Sequence, residues 1–202
     1  MSAPQQVLAS FGAAAAAAYT TFNPSDKHTN VGLSGGNLVA STISANSGFV
    51  RAIAGKSAGK WYFEMVLTTA TAGADTIAVG LSRVTHLTSG ALGYTDADGW
   101  ALWGRGGSGF RNGGLVLSHS AAQGDVIGFA VDLDNDRIWV SKNNTWIQGN
   151  PAAGTSPLST NLSGTLYPSA CPWKAGHVIT ARFDPASHSY SAPSGFTAGW
   201  TA

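Results

Sequence analysis

The sequence predicts an all-β fold, a sandwich of two antiparallel sheets. Three observations carry this. Residues 124–146, GDVIGFAVDLDNDRIWVSKNNTW, place Ile127, Phe129, Val131 and Leu133 on one face of an extended run. Asp134-Asn135-Asp136 interrupts that run, a second alternating segment follows, and Asn143-Asn144 offers another turn, the pattern of a hairpin. Charged residues make up only 10% of the 202, against a usual value of about 25%, and Glu64 is the single glutamate, so helix-forming side chains are scarce. About ten to twelve short apolar runs alternate with turn residues along the chain, as sandwiches and barrels require.

The apolar fraction of 44% suffices for one sizeable core, and the length fits one domain. Residues 1–21 form an arm, with an alanine-rich stretch at 8–18 that favours a short helix and could dock on a neighbouring subunit. No Lys or Arg precedes that stretch and alanine is weakly apolar, so a cleaved signal is not expected. The sandwich is expected over residues 22–184, followed by a tail, 185–202, packed on the sandwich or on a neighbour, with Phe196 and Trp200 as anchors.

Residues 22–27, FNPSDK, read as turn chemistry. Residues 37–43 and 49–54 read as strands joined by a polar connection. After a turn at 57–60, residues 61–69 alternate, with Trp61, Phe63, Met65 and Leu67 facing one way and Tyr62, Glu64, Val66 and Thr68 the other. Residues 76–82 continue with Ile77, Val79 and Leu81 inward. Residues 83–99 form a long irregular stretch, and loops of that length are often functional. A strand at 100–103, a glycine-rich stretch at 104–114 and a short strand at 115–118 lead to the central hairpin. A loop at 149–164 precedes strands at 166–170 and 177–183.

Net charge is +1 without a basic cluster, which argues against nucleic-acid binding. No apolar run approaches the ~20 residues that span a bilayer, so no membrane insertion is expected. Cys171 is the only cysteine, hence no intrachain disulfide.

Motifs with chemical meaning fall short of their requirements. Gly104-Arg105-Gly106-Gly107-Ser108-Gly109 matches G-x-G-x-x-G, but no helical pattern follows to meet a pyrophosphate. Asp132, Asp134 and Asp136 are spaced like the start of a calcium loop. However, Arg137 stands where glycine is needed and Asn143 where the bidentate glutamate belongs, which favours hairpin capping. Asp96 and Asp98 read as turn formers rather than as a glycosidase pair. The five histidines are scattered, without metal-ligand spacing, and Cys171 reads as a buried structural residue. Neither a cofactor, a metal nor an enzymatic activity is expected.

An ordered set of segments resembles the SPRY (B30.2) family. They are Phe22-Asn23-Pro24 with Asp26, Gly59-Lys60-Trp61-Tyr62-Phe63-Glu64, Val79-Gly80-Leu81-Ser82, Leu92-Gly93-Tyr94 followed by Gly99-Trp100, Gly124-Asp125-Val126-Ile127-Gly128, Asp132-Leu133-Asp134, Leu166-Tyr167-Pro168 and Ala181-Arg182-Phe183. The resemblance covers roughly residues 22–184. It implies a concanavalin-like sandwich and a protein-binding module without catalysis, working through loops at one end. In members of the SOCS-box adaptor type, the binding face includes an aromatic in the Gly-Tyr loop and a Trp after the Tyr-Pro strand. Tyr94 and Trp173 match those positions, with Arg83 and Ser44 in neighbouring loops and Asp96 and Lys174 beside the two aromatics. The chain departs from that pattern at Cys171-Pro172-Trp173-Lys174, where a proline precedes the Trp. No RING, B-box, coiled coil or SOCS box lies within these residues, so no ubiquitin-ligase role is expected.

Lone SPRY-like domains also occur in bacteriophage structural proteins, which the charge-poor composition and the arm resemble. The leading expectation is therefore a virion component, in a tail, fibre or capsid decoration, oligomeric or part of an assembly with other subunits or with itself. The alternatives are a lectin-like module that stacks Trp173, Tyr94 and Trp146 on host-surface glycans, and a cytoplasmic adaptor that binds a short peptide.

Overall fold

A computed structural model describes residues 18–44, 48–70, 77–94, 96–104 and 109–202. Most of the arm expected at 1–21, including its alanine-rich stretch, lies outside the described residues. The fold is all-β, two antiparallel sheets face to face. One sheet holds β1 (Phe22–Lys27), β4 (Val50–Ala52), β13 (Tyr167–Pro172), β6 (Ile77–Ser82), β7 (Gly99–Gly104), β8 (Gly109–Arg111) and β9 (Leu115–Ser118), in that spatial order. The other runs β12 (Thr145–Trp146), β11 (Arg137–Lys142), β10 (Val126–Asp132), β5 (Lys60–Thr69), β14 (Val178–Arg182), β3 (Val39–Thr42) and β2 (Val31–Ser34), with β15 (Thr197–Ala198) beside β5.

The central hairpin forms as its alternation predicts. β10 and β11 pair in continuous register from Ile127↔Lys142 to Asp132↔Arg137. Asp136, Asn143 and Asn144 take positive φ in the two turns, as Asn and Asp tolerate. Asp132 accepts hydrogen bonds from the Asn135 backbone and side chain and pairs with Lys60 at 3.0 Å, while Asp134 accepts from the Gly59 N–H. Asp132 thus caps the hairpin turn through Asn135, and Asp132 and Asp134 tie that turn to the start of β5.

The core fills the space between the sheets. Phe63 and Phe129 stack at 5.0 Å, and Trp200 meets Phe63 edge-on at 5.4 Å while its indole N–H donates to the Ala54 carbonyl. Ile77, Val79 and Leu81 point into this core, as do Met65 and Leu67. On the opposite face of β5, Tyr62 and Glu64 are buried as well, because the segment after β14 lies across them, while Thr68 stays exposed. The Glu64 carboxylate accepts hydrogen bonds from the N–H groups of Ser189 and Tyr190 at 2.7 and 2.9 Å and from the Tyr62 hydroxyl at 3.0 Å. Burial, reinforced by Glu64, pushes the Tyr62 phenol far above its usual range, so it remains a donor. Phe196 packs edge-on against Trp139 on the same face.

Three stretches differ from the sequence expectation. Residues 22–27 form the edge strand β1 rather than a turn. Phe22 is fully buried, and pairing with β4 shifts register between Phe22 and Lys27, where Ser25 N–H bonds the Asn23 side chain. Asn-Pro-Ser therefore makes a bulge in an edge strand, where proline is tolerated. β2 is hidden in the sequence by its glycine and its shortness. β8 lies inside the stretch that reads as a glycine-rich loop; Gly109 is required there because a Cβ would overlap the Leu117 carbonyl of β9.

Candidate functional site

The outer face of the seven-stranded sheet is lined with small residues. Ala78 of β6, Ala101 of β7 and Cys171 of β13 all point outward, which leaves room for the chain between β6 and β7 to lie on the sheet. The Arg83 N–H donates to the Asp98 carbonyl at 2.8 Å and closes the base of this loop. The loop then folds back over the sheet, and Ala91 and Leu92 pack with Phe49, Trp103 and Cys171, flanked by Trp173. The Trp103 indole N–H donates to the Leu92 carbonyl at 2.7 Å. Burial pushes the Cys171 thiol up to about 12, so it is an inert packing group.

Polar side chains pin the loop. Arg51, buried on β4, binds the Asp26 carboxylate through two hydrogen bonds and donates to the carbonyls of Arg83 and His86 at 3.1 and 2.6 Å. Arg83 pairs with Asp98 at 2.8 Å, donates to the Ser163 carbonyl and lies over the Trp100 ring. Hydrogen bonds from Thr85 and Arg83 hold the Asp98 carboxyl below its usual range. His86 is buried against Phe49, and its Nδ1 meets the Asp96 carboxylate at 2.8 Å; Asp96 also accepts from the Asp98 N–H.

The six candidate residues therefore divide. Arg83 and Asp96 spend their charges inside the protein, as supports of the loop. Tyr94 is 58% exposed, its ring between the Arg111 guanidinium at 4.8 Å and the Trp103 ring at 5.9 Å. Trp173 is half-buried against the cluster under the loop, and Lys174 follows it in a turn closed by the His177 N–H on the Lys174 carbonyl. Ser44 is exposed beyond the end of β3, and the Thr42–His177 and Gly176–Thr42 backbone bonds hold that segment to the Trp173 turn. Trp173 follows Pro172, which pairs with Ile77, whereas Arg83 follows Ser82 at the other end of β6. Six strand residues separate the two ends by about 17 Å, so Arg83 is not beside Trp173. Val84 and Leu87, which carry no motif in the sequence, are exposed on the same loop. Trp146 packs on Tyr62 on the outer face of the other sheet, so Tyr94, Trp173 and Trp146 do not form one stacking platform.

Among the described residues no group of three His, Cys, Asp or Glu side chains is placed to hold a metal. The glycine motif runs from the end of β7 to the start of β8, so strand follows strand where a dinucleotide site needs a helix. No helix among the described residues is long and apolar enough to cross a membrane.

Residues 60–182 match the family model described as the SPRY domain. The human HERC1 SPRY domain crystal structure superposes with a TM-score of 0.65 at 21% identity, covering 80% of this chain and 96% of that one. The TRIM65 PSpry domain superposes with a TM-score of 0.61 at 14% identity, covering 82% and 93%. No curated protein sequence matches the chain. With more than half its length matched by the family model, the chain belongs to the SPRY domain family.

Proposed function

We propose that the protein recognises another protein, without catalysis, through the outer face of the seven-stranded sheet, with Tyr94 and Trp173 as anchors. The observation that carries this reading is the setting of Tyr94. A large aromatic is held out to solvent, cradled by Arg111 and Trp103, on a loop pinned at both ends. An aromatic with few rotamers and a fixed support costs little entropy to bury, which is what a binding hot spot requires. Lys174 and Arg111 have no carboxylate within ion-pair distance among the described residues and supply positive charge at its rim. Pull-down with the wild-type chain should recover a partner that Tyr94→Ala and Trp173→Ala lose while melting temperature is retained. Unchanged recovery with both variants overturns the reading.

The setting we propose is a multisubunit particle such as a phage virion. Support comes from the charge-poor, polar composition and the alanine-rich arm of the sequence. Removing residues 1–17, and so keeping Ala18–Thr21, which bond to Ala54, Trp200 and Ala202, should abolish incorporation into the particle and leave the sandwich folded; incorporation at the wild-type level would contradict this setting.

A further inference from the structure

Where the chain leaves β9 and where β11 turns into β12, a cleft of about 440 Å³ opens, walled by His119, Lys142, Asn143, Thr145, Trp146 and Ile147. That volume lies within the range of small-molecule sites. The cleft stands apart from the Tyr94 loop, which covers the outer face of the other sheet.

Its walls are fixed before anything binds. Asn143 and Asn144 hold the left-handed turn that swings Thr145 and Trp146 back onto Lys142 and Ser141. The Asn143 side chain accepts from the Val126 N–H at 2.9 Å and donates to the Asp125 carboxylate at 2.7 Å. The Lys142 ammonium donates to the Ser120 carbonyl at 2.9 Å, which staples the segment after β9 to the end of β11. Trp146 rests edge-on against Tyr62.

Several polar groups of the cleft remain unspent. The indole N–H groups of Trp61, Trp100, Trp103, Trp139 and Trp200 each donate to a group of the protein. That of Trp146 has no such partner among the described residues, and neither has the Thr145 hydroxyl. Lys142 has no carboxylate within ion-pair distance among the described residues. Asp125, in the neighbouring turn, is taken up by Asn143 and the Ala122 N–H. Burial and the Lys142 charge hold His119 below its ordinary value, so its ring is neutral at pH 7 and the charge of the cleft is that of Lys142.

We propose that this cleft binds an acidic sugar, a pyranose ring that bears a carboxylate. The ring packs on Trp146 and Ile147, its carboxylate meets Lys142, and its hydroxyls pair with Thr145 and, at the edge, with the Trp146 N–H. A wholly apolar ligand would strip water from Lys142 and put nothing in its place. A carboxylate on a flat aromatic ring would leave the Thr145 hydroxyl and the indole N–H unmet.

Calorimetric titration of the full chain with sodium glucuronate and with N-acetylneuraminate tests this, against glucose, acetate and benzoate. The expected result is saturable binding of at least one acidic sugar, about tenfold or more tighter than any of the three controls. Lys142→Met and Thr145→Val should each weaken it with wild-type circular dichroism, Lys142→Met by about tenfold or more. Trp146→Ala should abolish it, as any side chain in place of the indole must, and Tyr94→Ala should bind as wild type. No saturation by either acidic sugar up to about 100 mM overturns the inference. So does equal binding of glucose, acetate or benzoate, or binding that the Lys142 and Trp146 variants leave intact. Loss of the sugar in Tyr94→Ala would overturn it too, because the two sites are separate.

Discussion

Arg51 grips the Asp26 carboxylate with two hydrogen bonds, at 2.7 and 2.8 Å, and with its remaining nitrogen holds the carbonyls of Arg83 and His86. One buried guanidinium thereby ties the bulged edge strand, β4 and the loop between β6 and β7 to a single point. Removing it strands a carboxylate and two carbonyls. Arg51→Met should cost roughly 3 kcal/mol in denaturant unfolding. Arg51→Lys should recover little of that, because an ammonium cannot reproduce the two-pronged geometry. The same variants should raise hydrogen exchange across residues 83–98 before global unfolding.

Glu64 does comparable work on the opposite sheet. It is fully buried, and its oxygens are met by Tyr62, Ser189 and Tyr190. Glu64→Ala should leave those donors unpaired, cost about 2–3 kcal/mol and make residues 184–202 the first site of limited proteolysis. Full resistance of that segment in the variant would show that Trp200 and Phe196 hold it unaided.

The histidines set the pH response. Burial holds His177 and His188 below the ordinary value of 6.5, with the Lys174 charge assisting at His177. A histidine whose folded pKa is depressed takes up protons more readily in the unfolded chain. Its contribution is therefore neutral above 6.5 and turns destabilising as pH falls below that value. The melting temperature should fall between pH ~7.5 and ~5, and His177→Gln and His188→Gln should each flatten the slope. Asp98 acts in a lower window. Its carboxyl is held down, so its stabilisation is present above the ordinary 3.8 and is lost as pH falls through its folded value.

Gly80 faces the Trp100 carbonyl so closely that a Cβ would overlap it. Gly80→Ala should destabilise by at least about 2 kcal/mol, where an alanine at the open Gly114 should not. Comparing the two melts checks that the loss comes from strand spacing.

The sandwich is legible in the sequence wherever one face of a strand is apolar and its neighbour in the chain is also its neighbour in the sheet. The β10–β11 hairpin meets both conditions. β5 meets only the first. Tyr62 and Glu64 look like surface residues until a segment 125 residues beyond Glu64 covers them. β1 is obscured by its own proline, which forms a bulge instead of ending the strand. At the candidate site, the resemblance locates Tyr94 and Trp173 but not the supports of the loop. Arg51 does leave a signal, a lone arginine between Val50 and Ala52 in a chain poor in charge, and such a residue must find partners inside. The partners themselves, Asp26 and two loop carbonyls, are set by folding in three dimensions and leave no local pattern. Arg83 and Asp96 lie in the loop between β6 and β7, but both are taken up by partners within the protein, Asp98 and His86, and loop residues carry no periodicity from which a direction could be read.

Recognition through the Tyr94 face is a claim about where the partner sits. A photo-cross-linking side chain placed at Tyr94, and separately at Trp146 on the opposite face, tests this whatever the partner's identity. Adducts from position 94 and none from 146, in the protein's native setting, are the predicted result. Adducts from 146 alone would contradict the account.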